Sequence, residues 1–193
     1  MRTQTVDMPT GLCTHWTSRD LDLMPDNGVR YEIIDGELFI SKPPHWHHQR
    51  TCGNIYQELN EWSRESGLGE ASITPGVLFD ESDDVIPDVA WVSQERLQVL
   101  LDDAGHLTGA PELAVEVLSF GMRNEQRDRQ AKRKLYEVQG VIEYWIADWR
   151  MQRVEIYRRD QGLLRLVTTL LMEDDVTSPL LPGFTCKVKR FFL

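Results

Sequence analysis

Apolar and polar positions alternate along two short stretches early in the chain. Tyr31-Glu32-Ile33-Ile34 and Glu37-Leu38-Phe39-Ile40 flank Asp35-Gly36, a pair suited to the positive φ angles of a two-residue hairpin turn. The pattern predicts a hairpin over 30–41, stopped by Lys42-Pro43-Pro44. The period then changes. His48, Cys52, Ile55, Leu59 and Trp62 recur at spacings of four and three. They predict a helix from His45 to Ser66, ended by Gly67, with this stripe facing a sheet.

Strands are expected at 70–74, 76–79 and 88–92, with the acidic run Asp80, Glu81, Asp83, Asp84 read as a solvated loop. Residues 93–103 form a helix or loop, and Leu113 to Leu118 reads as a central strand, apolar on both faces except at Glu116. A second long helix is expected from Asn124 to Gln139, ended by Gly140. Strands at 143–148, 153–158 and 163–170 complete the sheet, and the 178–184 tail is expected as a loop before one last short strand. Residues 1–16 read as an irregular lead-in, with a short helix around 18–24. Residues 17–193 then form a single α/β domain: a mixed sheet flanked by two main helices.

Composition narrows the picture. Apolar residues make up 41% and charged residues 27%, ordinary for a globular protein. No apolar run approaches the roughly 20 residues of a membrane helix, and 1–11 lacks the apolar core of a signal peptide. The expected compartment is the cytoplasm. Cys13, Cys52 and Cys186 are widely separated and form no C-x-x-C pair, which argues against a structural zinc site or a disulfide framework. The net charge of -10 argues against a sequence-blind nucleic-acid coat. It does not exclude a nuclease, because carboxylates that hold a divalent cation are themselves acidic.

Three residues carry the candidate chemistry. Glu116 interrupts the apolar strand, and a carboxylate there is costly unless it is paired or bound to a metal. Pairing with an arginine such as Arg123 is the structural alternative. Asp88 opens a strand, where a cap role is the ordinary reading; beside Glu116 it makes a site for Mg²⁺ or Mn²⁺, which prefer a few carboxylate oxygens. Lys132 lies on the helix after Glu116. Read by spacing alone it is a solvated partner of Asp128, four residues earlier. The segment is basic, however, with Arg123, Arg127, Arg129, Arg133 and Lys134, as phosphodiester chemistry would require. His48 is either a satisfied buried histidine or a group near the site. Glu32 and Glu37 flank the hairpin turn, and spacing does not choose between a structural and a site role for either.

These residues resemble the Uma-two family of restriction-endonuclease-like proteins. The likeness is carried by Tyr31 to Leu38, His48-Gln49-Arg50, Pro87-Asp88, Glu116-Val117-Leu118-Ser119, Asp128 through Lys132 to Tyr136, Gly140 to Asp148, and Ser178 to Gly183. It spans about residues 17–188. The resemblance implies a PD-(D/E)-x-K nuclease core, with Asp88 and Glu116 as metal ligands. Leu118 stands where the simple motif has its lysine, and the resemblance implies that Lys132 on the next helix takes that place. The first reading is a Mg²⁺- or Mn²⁺-dependent endonuclease acting on DNA, and a homodimer would match the two-fold symmetry of a duplex. Two other readings remain: a non-catalytic nucleic-acid or protein binding module that kept the fold, and a hydrolase of another phosphoester.

Overall fold

The computed structural model describes residues 15–26 and 28–193. Cys13 and nearly all of the expected lead-in lie outside these residues.

After a one-turn helix α1 (Ser18–Leu21), the expected hairpin forms as β1 (Arg30–Ile34) and β2 (Glu37–Ser41). Asp35 and Gly36 both take positive φ, 51° and 69°, as a two-residue hairpin turn demands. Helix α2 (Trp46–Ser66) starts with the His45 ring accepting from the backbone N–H of His47 and stops at Gly67, φ 67°. Its buried residues include His48, Cys52, Ile55 and Leu59, the stripe read from spacing.

Then follow β3 (Gly69–Ile73), β4 (Val77–Asp80), β5 (Asp83–Val85), β6 (Val89–Ser93), α3 (Gln94–Leu100) and β7 (Leu113–Val117). The acidic run is therefore not a solvated loop throughout. Asp84 pairs with Ile33 across β5 and β1, and the Asp83 carboxylate accepts from the Asp35 N–H at 2.8 Å. Those half-buried acids close the hairpin turn instead of facing water.

The second long helix runs as α4 (Met122–Gln126), a π-helical segment (Arg127–Lys132) and α5 (Arg133–Gln139). The wider π turn buries Arg127, Asp128 and Lys132 together, and such turns are frequent at functional sites. Beyond it come β8 (Glu143–Asp148), β9 (Arg153–Asp160), β10 (Leu163–Leu171), β11 (Asp175–Ser178), β12 (Leu181–Lys187) and α6 (Lys189–Phe192). The expected tail loop is in fact a hairpin of β11 and β12. A register shift between Thr177 and Ser178 accommodates Pro182 and Gly183 in the longer strand, which is how an edge strand tolerates a proline.

The strands do not form one sheet. Six lie in the order β10-β9-β8-β7-β6-β3, parallel only between β7 and β8. Four form a separate antiparallel sheet, β2-β1-β5-β4. One face of the six-stranded sheet packs Val89, Trp91, Val115 and Trp145 against α2, β12 and Phe191. The other packs Ala114, Ile146 and Tyr144 against α5 and the smaller sheet, through Leu135, Tyr136, Ile34 and Val85. Even-numbered residues of β6 and β7 face this second layer, and so do Asp88 and Glu116.

Candidate active site

β6 and β7 are antiparallel, with Val89 opposite Val115 and Ala90 opposite Ala114. One further step of this register sets Asp88 opposite Glu116 on the same face. Residues opposed in this way have Cβ atoms roughly 5 Å apart. The Val117 N–H donates to Asp88 Oδ2 at 2.9 Å, locking the Asp88 carboxylate over the end of β7.

Asp88 is only 2% exposed. Arg30 Nη1 donates to its Oδ1 at 3.1 Å, and His48 Nε2 lies 3.3 Å from its Oδ2. Burial disfavours the charged carboxylate, but the bonds and charges of His48, Arg30 and Lys132 outweigh it and hold Asp88 well below the usual carboxylate range. His48 is raised in turn: burial opposes its charge, and the Asp88 contact prevails.

Glu116 is 1% exposed. Lys132 Nζ and the Tyr136 hydroxyl both donate to its Oε1, each at 2.9 Å. The expected alternatives fail here. Lys132 is fully buried and is no solvated partner of Asp128, whose carboxylate accepts from Arg127 Nε at 2.9 Å. The cation beside Glu116 is Lys132. Its Nζ also lies 2.7 Å from Glu32 Oε1, and Glu32 accepts the Ile86 N–H at 2.9 Å. Arg127 stands 3.5 Å from the other Glu32 oxygen, which has no hydrogen-bond partner among the described residues.

Sequence reasoning thus named Asp88, Glu116, Lys132, His48 and Glu32, and the fold brings them together. Glu37 stands apart: it is exposed at the far end of the hairpin and lines a separate concavity with Arg123 and Gln130. Arg30 was missed, although its two-residue offset from Glu32 in a strand places both on one face. Tyr136, one helical turn after Lys132, was read only as part of the family likeness.

Charge decides what this cluster can do. Four carboxylates (Glu32, Asp88, Glu116, Asp128) meet three permanent cations (Arg30, Arg127, Lys132). The imbalance falls on Glu116 and Asp128, both raised chiefly by burial. Burial raises Glu116, Lys132 pulls it down, and the neighbouring Asp88, Asp128 and Glu32 push it back up to about 8. Glu32 keeps its charge: burial is overcome by Lys132 and Arg127. Burial and the neighbouring carboxylates thus favour a proton on Glu116, which a bound divalent cation would displace. Hard oxygen donors and a buried Glu32 oxygen without a hydrogen-bond partner among the described residues fit such an ion.

The cluster opens to solvent through a polar cleft of about 170 Å³, walled by Asp88, His48, Arg30, Arg127, Lys42 and Ser119 among others.

A mixed sheet with paired carboxylates at adjacent strand ends and a buried lysine is the architecture of a restriction-endonuclease-like protein. Comparison with solved structures agrees. The crystal structure of "a putative nuclease" from Anabaena variabilis ATCC 29413 superposes with a TM-score of 0.73, at 17% identity, covering 91% of this chain and 97% of that one. The family described as "Putative restriction endonuclease" matches residues 19–189. The chain belongs to this family, Uma2. No curated protein matches it.

Proposed function

We propose that this protein is a nuclease that hydrolyses DNA phosphodiester bonds with Mg²⁺ or Mn²⁺. The observation that carries this reading is the buried convergence of Asp88, Glu116 and Lys132 behind a cationic cleft whose wall includes Asp88. Asp88 and Glu116 would hold the metal. Such an ion, when bound, makes attacking water more acidic and offsets phosphate charge.

The chain's own groups supply the rest. Arg30 and Arg127 reach the cleft, where guanidinium groups grip phosphate oxygens. Lys132 fixes the Glu116 carboxylate and places a permanent positive charge beside the point where negative charge develops. His48 orients Asp88 from the side opposite Arg30. Glu32 keeps the Lys132 ammonium in place.

One observation favours the second reading, a fold kept for binding alone: Asp88 and Glu116 already have protein donors. Two measurements separate the readings. Calorimetric titration of Mn²⁺ should show binding to the wild type and its loss in Asp88→Asn. Cleavage of DNA should require the metal and disappear in both Asp88→Asn and Glu116→Gln. Cleavage that survives both substitutions overturns the site; Mn²⁺ binding without cleavage of any DNA favours the binding module.

A further inference from the structure

A set of aromatic rings at the cleft mouth is not used by the chemistry above. Parallel strands β7 and β8 end side by side, with the Leu118 N–H donating to Ala147 O at 2.9 Å. The next residues, Phe120 and Trp149, meet edge to face at 5.2 Å. Trp149 is fixed, because its indole N–H donates to Leu118 O at 3.0 Å. His45 stacks on Trp149 at 4.9 Å with an interplanar angle of 7°. His47 stacks on His45 at 5.4 Å. Arg150 lies over Phe120 at 5.5 Å.

This cluster faces water. His45 and His47 are exposed, and Phe120 is 56% exposed. A core aromatic would not be left so, and three such rings gathered on one fixed tryptophan are not scattered surface residues. The cluster is also continuous with the cleft. Ser119 and Pro44 line the cleft wall, and their chain neighbours are Phe120 and His45. Three residues beyond His45, His48 touches Asp88.

Resting on the nuclease reading, we propose that this platform stacks the nucleobases of single-stranded DNA beside the phosphate held in the cleft. Charge and size select this occupant. Arg30, Lys42 and Arg127 in the cleft match a phosphodiester, and the exposed outer rings, His47 and Phe120, stand at its mouth. Stacking between bases and aromatic side chains is available only where bases are unpaired. A cleft of about 170 Å³ has room for one phosphodiester group. The chain's net charge of -10 is poorly suited to the many phosphate contacts of a duplex grip. A single strand also requires one site and no two-fold pair.

The test measures binding by fluorescence anisotropy in EDTA, so that cleavage does not intervene. The probes are a labelled single-stranded DNA 20-mer, its duplex, a strand of equal length lacking bases, and a single-stranded RNA of the same sequence. The wild type should prefer the single strand over both by about tenfold or more. Phe120→Ala and His47→Ala should each weaken single-strand binding about fivefold or more, leave the baseless strand unaffected, and keep the wild-type melting temperature. Phe120→Tyr should retain the preference. Equal affinity for the strand with and without bases, tighter binding to duplex, or tighter binding to RNA of the same sequence each overturns the proposal, as does no binding at all. Base-dependent binding by a protein that cleaves no DNA would instead overturn the nuclease reading and leave the platform standing.

Discussion

Replacing Lys132 by methionine removes a buried ammonium and leaves the stem nearly intact. Its Nζ lies 2.7 Å from Glu32 and 2.9 Å from Glu116, and all three side chains are at most 1% exposed. Removing one partner of a buried ion pair typically costs about 3–5 kcal/mol, because the other charge is stranded. Two facts place this case near the lower end. Burial and the neighbouring carboxylates raise Glu116 toward its neutral form, which leaves Glu32 as the main stranded charge. Arg127 also remains 3.5 Å from Glu32. A loss of about 3 kcal/mol is expected, a fall of roughly 6–12 °C in Tm for a chain this long.

The pH dependence is the sharper readout. In the wild type Glu32 is held below its ordinary 4.5 despite burial, by Lys132 and Arg127. It therefore contributes stability above pH 4.5 that is lost as the solution is acidified. Without Lys132, burial prevails and the folded-state value rises above 4.5. The variant then loses stability as pH rises through that value. The gap between the two proteins should be smallest on the acid side of pH 4.5 and widen as the pH rises toward 8. Guanidinium titrations in EDTA at several pH values measure it. A gap under about 1 kcal/mol that stays flat from pH 5 to 8 would refute the pairing.

Three further outcomes are expected. Because Glu116 must release its proton to take a cation, Mn²⁺ affinity should climb by up to about tenfold per pH unit between pH 6 and 8 and level off above; pH-independent affinity by calorimetry would exclude Glu116 as a ligand. In Gly69→Ala the new Cβ would stand 2.3 Å from Val92 O and 2.5 Å from the Trp91 ring, so denaturant titration should show a loss of about 1–3 kcal/mol. Leu59→Ala opens a hole where α2 meets the large sheet, and the same titration should show a loss of about 2–5 kcal/mol.

What could be read from the chain follows physical reach. The hairpin at Asp35-Gly36 and the α2 stripe are local patterns, and both appear as expected. Glu116 stood out because an acid in an apolar strand needs a partner. Which partner it finds was not legible. Lys132 has Asp128 four residues before it, and only the π turn sends the lysine to Glu116 and leaves Asp128 to Arg127. That turn leaves no trace in the apolar period, since Ala131 is the only apolar residue among 127–132. The strand character of 83–85 depends on Ile33, about fifty residues away. The hairpin at 175–187 was hidden by Pro182 and Gly183, which a bulge absorbs. Long-range pairing and register, not propensity, account for each miss.

The same cluster fixes what metal removal should do. Without an ion, Asp88 has Arg30, His48 and the Val117 N–H, and Glu116 has Lys132 and Tyr136. The carboxylates are thus held by protein donors, unlike the ligands of a zinc finger, which fold only around their metal. A cation here trades with one proton and does not build the site. EDTA should therefore leave the far-ultraviolet circular dichroism and the cooperative unfolding unchanged. Adding Mn²⁺ to one hundred times its Kd should raise stability by about 2.7 kcal/mol, the linkage expected of a ligand that binds only the folded state. That increment should vanish in Asp88→Asn. Unfolding on chelation would mean that the protein donors do not balance the acids, and that the metal is structural.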